Sequence, residues 1–133
     1  MSIQQGVHVV RAHQRSGATP QTRGMKREAG VAPETTGNQG LWMGLVTTPA
    51  GMTSGWHHHG DCETGIYLLQ GRARFRWGKG GAESAEVGPG DFLAVAPNAI
   101  HMEEALGNEE VVFVVARACS QITVVNVDGP EPE

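Results

Sequence analysis

Aromatic side chains make up only 5% of this 133-residue sequence, cysteine appears twice, and no apolar run approaches the length of a membrane-spanning helix. Each scarcity removes a class of answer. Residues Met1 to Arg15 lack the uninterrupted apolar core of a secretory leader. The expected location is therefore cytoplasmic. Two cysteines far apart in sequence, Cys62 and Cys119, make a poor disulfide framework in a chain without an export signal, so both are read as free thiols. Positive charge is also in short supply: 10 basic against 14 acidic side chains leave a net charge of −4. That balance gives no electrostatic footprint for nucleic acid or for an anionic membrane surface. Helix signals are weak as well. No stretch combines apolar spacing of three and four with a cap and a terminal glycine, and Glu103 to Glu110 holds at most a turn.

Glycine and proline are abundant instead, at 19 and 7 residues, and they punctuate the chain at short intervals. Such punctuation suits short strands joined by tight turns, and the length suits one domain. Residues 1–39 read as an N-terminal arm, with a short edge strand over Val7 to Ala12 and an aperiodic loop from Arg15 to Asn38. From 40 to 127 the texture changes to apolar runs of four to eight residues. Strands are expected at Leu41 to Thr47, Gly65 to Leu69, Ala73 to Trp77, Phe92 to Val95, Val111 to Ala116 and Ile122 to Val127. In Arg72 to Trp77 the alternation is strict and puts three arginines on one face and Ala73, Phe75 and Trp77 on the other. Residues 128–133 read as a disordered tail. The architecture implied is all-β, a sandwich or a barrel.

The sharpest chemical feature is His57-His58-His59 followed by Glu63. On an extended segment His57 and His59 project to the same side and His58 to the other, so the outer pair converges on one ion. Gly60 and Asp61 suit a turn, after which Glu63 can return to the same face as an oxygen ligand. A fourth ligand is expected from His101, which follows a Pro97-Asn98 turn. Asn98 tolerates the left-handed backbone that such a turn needs.

These residues resemble the two motifs of the cupins. Gly51, His57, His59, Glu63 and Gly71 match the first motif, and Gly90, Asp91, Asn98 in a glycine position and His101 match the second. Ala96 stands where the second motif usually has proline, with Pro97 one place later, and Ala105 stands where a polar residue is usual. The resemblance implies a double-stranded β-helix, a jelly-roll barrel with an ion inside one open end, and a homodimer formed through outer strands. It implies a site of His57, His59, Glu63 and His101, with one divalent transition metal. Three imidazoles and one carboxylate suit Mn, Fe, Ni, Co or Zn without discriminating among them.

Other residues carry weaker signals. Glu103 shares the inward face of the His101 strand and is a candidate catalytic acid or base. Arg72, Arg74 and Arg76 form either a solvated outer face or a surface for an anionic substrate. Tyr67, Phe75, Trp42, Trp56 and Trp77 either line a pocket or pack the core, with Trp56 next to His57. The function expected is a metal-dependent enzyme acting on a small organic molecule, with dioxygenase chemistry ranked ahead of isomerase, decarboxylase and lyase chemistries. The alternative is a non-catalytic module that binds or senses a small molecule or the metal itself.

Overall fold

The structure, a computed structural model, describes residues 6–119 and 124–133. After a 3-10 turn at Ala12–Gln14 come ten strands: β1 Lys26–Val31, β2 Trp42–Thr48, β3 His57–His58, β4 Thr64–Gln70, β5 Arg72–Trp77, β6 Glu83–Val87, β7 Phe92–Val95, β8 His101–Leu106, β9 Val111–Arg117 and β10 Val125–Asn126. They form two antiparallel sheets of five strands, in the orders β1-β2-β9-β4-β7 and β10-β3-β8-β5-β6. The non-sequential neighbours are those of a jelly roll, in which consecutive strands cross between facing sheets. Among the described residues no helix is long and apolar enough to cross a membrane.

Alternation builds the interior. On β9, Val111, Phe113, Val115 and Arg117 point inward, and on β4 Thr64, Ile66 and Leu68 do so. The apolar core joins Val111, Phe113, Val115, Ile66 and Leu68 to Trp42, Val46, Ala73, Phe75 and Ala105. Phe75 and Phe113 meet edge to face across the two sheets, with centroids 5.6 Å apart. The arginine face of β5 is the outer one. There Arg74 and Arg76 pair with Glu104 of β8 at 3.2 and 2.7 Å.

Several elements differ from the sequence expectation. Strand β1 lies in what reads as loop, and it adds to the sheet edge by pairing with β2 from Lys26↔Thr47 onward. Residues 7–11 form no strand; Val7 and Val9 are exposed and have no partner strand there. Strand β6, Glu83–Val87, was not expected because its side chains are largely solvated and carry no apolar alternation. Its pairing with β5 supplies the ladder instead. Where the sequence suggests a turn after Glu103, β8 runs on to Leu106. Of the expected Ile122 to Val127 strand, Ile122 and Thr123 lie outside the described residues, and Val125–Asn126 pairs with His57–His58. Residues 128–133 lie along the turn at 78–81, where the Gly80 N–H donates to the Glu131 carbonyl at 2.8 Å.

The reading of Cys62 and Cys119 as free thiols is corrected: they form a disulfide, with Cα atoms 5.6 Å apart. The cause is the ladder. Thr64 of β4 faces Arg117 of β9, and each cysteine lies two residues beyond that pair. A sequence separation of 57 thus becomes a spatial contact.

Candidate metal centre

His57 on β3 and His101 on β8 are Cα partners in one ladder, so both rings point into the barrel at the same level. His59, past the end of β3, completes the group. Ring centroids are 4.4 Å apart for His57 and His101, 5.0 Å for His57 and His59, and 5.3 Å for His59 and His101. All three are buried, and their ligand atoms lie within 4.8 Å of one another. The turns that deliver them are tied together: the Asn98 N–H donates to the Gly60 carbonyl at 2.7 Å, and Asn98 Nδ2 donates to Asp61 Oδ1 at 3.0 Å. Asn98 has φ 61°, the left-handed backbone expected for it.

Backbone carbonyls fix the tautomers. His57 Nδ1 bonds the Gly55 carbonyl at 2.8 Å, and His101 Nδ1 bonds the Ala99 carbonyl at 2.9 Å. A carbonyl only accepts, so each Nδ1 carries the proton and each Nε2 presents a lone pair. Both Nε2 atoms are buried without a hydrogen-bond partner among the described residues. His59 Nε2 accepts from Arg117 Nη2 at 3.1 Å. His58, on the opposite face, accepts the Gly60 N–H through Nδ1.

The expected carboxylate is elsewhere. Glu63 is exposed and outside the histidine group, because Thr64 begins the inward-facing set of β4 and its neighbour must face out. The carboxylate beside the histidines is Glu103, 5% exposed, with one oxygen 3.8 Å from His57 Nε2 and the other 3.8 Å from His101 Nε2. Its backbone is held by Ser54, whose Oγ accepts the Glu103 N–H at 2.8 Å. Burial lowers the His57 pKa to about 4, with Glu103 opposing the shift. Burial on its own would push the Glu103 carboxyl up, but His57, His101 and Arg27 outweigh it and hold the group below the usual range.

A cavity of about 280 Å³ opens from His101 through Phe75, Trp77, Leu93, Val95 and Ala99. The Phe75 ring stacks toward His101 at 6.4 Å. Tyr67 is not in that mouth: it packs on the outer face, 4.8 Å from Phe92. Trp42 is buried in the core, and Trp56 lies over Gly81 rather than over the histidines. Two interior residues were missed by sequence reasoning, Arg27 and Arg117, each 2% exposed. For Arg117 a signal existed, since the alternation of Val111, Phe113 and Val115 carried one step further points it inward. Arg27 sits in a six-residue strand with no apolar pattern to announce it.

A family model described as the cupin domain matches residues 44–117, more than half of the chain. Among solved structures the chain is similar to the oxalate decarboxylase of Bacillus subtilis at pH 4.6. That match has a TM-score of 0.70 and 21% identity, and it covers 80% of this chain and 28% of the other. The chain is also similar to the formate complex of Lactobacillus farciminis oxalate decarboxylase, with a TM-score of 0.71 and 16% identity over 81% of this chain and 32% of that one. It spans less than a third of the length of these proteins, and at such identities the likeness is one of fold. No curated protein matches it.

Proposed function

The chain belongs to the cupin family, and on that footing we propose that it is a metal-dependent enzyme acting on a small organic molecule. One divalent transition metal is held by His57, His59 and His101, with Glu103 in the carboxylate position expected of Glu63. The observation that carries this reading is the pair of buried Nε2 lone pairs of His57 and His101, each without a hydrogen-bond partner among the described residues and each 3.8 Å from one oxygen of the buried Glu103 carboxylate. Interiors seldom leave such acceptors unsatisfied, and three imidazoles with one carboxylate are a donor set for a borderline cation. An ion bound there acts as a Lewis acid toward a carbonyl or carboxylate oxygen.

The chain's own residues do the rest. The Gly55 and Ala99 carbonyls hold the rings in the ligating tautomer, Phe75 and Val95 keep water from the mouth, and Glu103 is placed to take up or return a proton. The similar solved structures are named as decarboxylases, which moves decarboxylation ahead of the dioxygenase expectation. The test is elemental analysis of the full chain after loading with Mn, Fe, Ni, Co or Zn in turn. One ion per chain is expected, lost in His101→Ala, weakened about 10- to 100-fold in Glu103→Gln and unchanged in Glu63→Gln. An ion whose binding depends on Glu63 and not on Glu103 overturns the donor set. Substrate turnover followed by carbon dioxide release and by dioxygen uptake then separates the two chemistries.

The homodimer expected from the family resemblance has a fitting surface. Met43, Tyr67, Phe92, Val114 and Ala116 line an apolar hollow on the outside of the first sheet, where Phe92 is 80% exposed. A two-fold pairing of that face covers it. Light scattering on Phe92→Glu is expected to show a monomer where the parent chain is a dimer.

A further inference from the structure

The barrel interior holds more positive than negative charge. Arg27 and Arg117 are both buried, and Glu103 is the carboxylate that opposes them. Two guanidiniums against one carboxylate leave one positive charge, and a divalent ion beside the histidines would raise it to three. Charges taken out of water need partners.

The donors are short of acceptors as well. Arg27 Nη1 donates to the Pro20 carbonyl at 3.2 Å, and Arg117 Nη2 to His59. Arg27 Nε and Arg117 Nε and Nη1 have no acceptor among the described residues. Nor do the groups on either side of Arg117 in its ladder row: Trp42 Nε1 and Thr64 Oγ1 are buried and unpartnered too. The guanidinium lies 5.7 Å from the Trp42 ring centroid, so these groups form one neighbourhood.

We propose that Arg117, flanked by Trp42 and Thr64 and supported by Arg27, anchors the carboxylate of a small organic acid whose hydrocarbon part lies in the apolar mouth. The carboxylate supplies the missing acceptor and the missing negative charge in a single group. An organic acid fits better than an inorganic anion because the mouth cavity is walled by Phe75, Leu93 and Val95, and Val95 shares a ladder row with Thr64 and Arg117. The proposal rests on the preceding one in one respect: Arg117 Nη2 occupies the His59 nitrogen that an ion would use. Entry of the ion therefore frees the guanidinium for the acid, and ion and acid bind cooperatively.

The test is calorimetric titration of the full chain, metal-free and loaded with Mn(II), with butyrate, with butyramide as its uncharged shape match, and with inorganic phosphate. Butyrate is expected to bind and butyramide not. Arg117→Met is expected to weaken butyrate at least about tenfold, Thr64→Val severalfold, and Arg117→Lys by an intermediate factor. Butyrate should raise Mn(II) affinity severalfold in the parent chain and leave it unchanged in Arg117→Met. Equal binding of butyrate and butyramide, undiminished butyrate binding in Arg117→Met, or phosphate bound more tightly than butyrate each overturns the assignment. Should Arg117→Met fail to fold, the butyrate-butyramide contrast and Thr64→Val decide it. Absence of stoichiometric Mn(II) would sink the ion reading alone, because the butyrate titration is also read on metal-free protein.

Discussion

At one end of the barrel interior, Val46, Leu68, Val111 and Phe113 close against Ala73 and Ala105 in a mainly apolar core, with the buried Thr48 opposite Val111 as a polar exception. At the other end the same strands carry Trp42, Arg117 and Thr64 in one ladder row, and Arg117 reaches His59 of the histidine group. Strand β9 runs the length of this gradient, from Val111 at the packed end to Arg117 at the polar one. The packed end gains from removing apolar surface from water. The polar end gives that up, since buried nitrogens such as His57 Nε2, His101 Nε2 and Arg117 Nη1, which have no hydrogen-bond partner among the described residues, cost stability. Stability is thus concentrated where nothing binds, and it holds open a cavity that is poorly satisfied until something does.

The largest way to break this contrast is Phe113→Ala. Phe113 is 1% exposed and bridges the two sheets against Phe75. Truncation is expected to cost about 3 to 5 kcal/mol, read from urea denaturation midpoints. Any loss of bound ion should follow unfolding rather than precede it.

The next test strikes the polar end. The turn after His59 is tied to the end of β9 by the Cys62–Cys119 disulfide and by the Ala118 N–H bond to the Glu63 carbonyl at 3.0 Å. Reduction, or a Cys62→Ser and Cys119→Ser double variant, is expected to cost about 2 to 4 kcal/mol. Hydrogen exchange should rise first around His59 and Arg117 and last around Phe113. Uniform loosening along the barrel would show that the two ends do not differ in this way.

Acid sharpens the comparison further. Burial puts the His57 pKa at about 4 in the folded chain against an ordinary 6.5. The unfolded chain therefore binds more protons between those values, so stability is full above pH 6.5 and falls as pH drops toward 4. At roughly 1.4 kcal/mol per unit the loss for metal-free protein is at most roughly 3.5 kcal/mol. Glu103, whose carboxyl is held below its usual range, adds loss of the same sign further into the acid. Thermal melts of the parent chain and of His57→Gln across that window check it: the variant should lose less on acidification.

Much of the packed end is legible in the sequence, and the polar end less so, for one physical reason. Period-two alternation identifies a buried face only while the inward residues are apolar. Phe92–Val95 is matched to the residue, and the outward arginines of β5 are placed correctly, because their inward neighbours are Ala73 and Phe75. The same alternation reaches Ala116 and stops, since Arg117 reads as a strand end although it is the next inward residue. His57, His59 and His101 are legible from spacing and from motif together. Glu63 was placed by motif, but the turn at Gly60 and Asp61 delivers Thr64 to the inward face. The disulfide and β1 depend on which strands become neighbours, which a single sequence does not display.

The smallest expected effect tests whether the outer face of β5 takes part in either role. Arg74 and Arg76 reach across to Glu104 on the solvent side of the second sheet, and the guanidiniums stay partly exposed. Exposed pairs of this kind are worth less than about 1 kcal/mol and are screened by salt. Glu104→Ala should therefore lower the melting temperature slightly at low ionic strength and hardly at all in about 0.5 M salt, where the Debye length is only a few ångströms. Butyrate and Mn(II) titrations of the variant should match those of the parent chain. A marked change in butyrate affinity would mean that the outer arginines also steer the ligand, and the division between a packed scaffold and a single polar end would have to be redrawn to include that face.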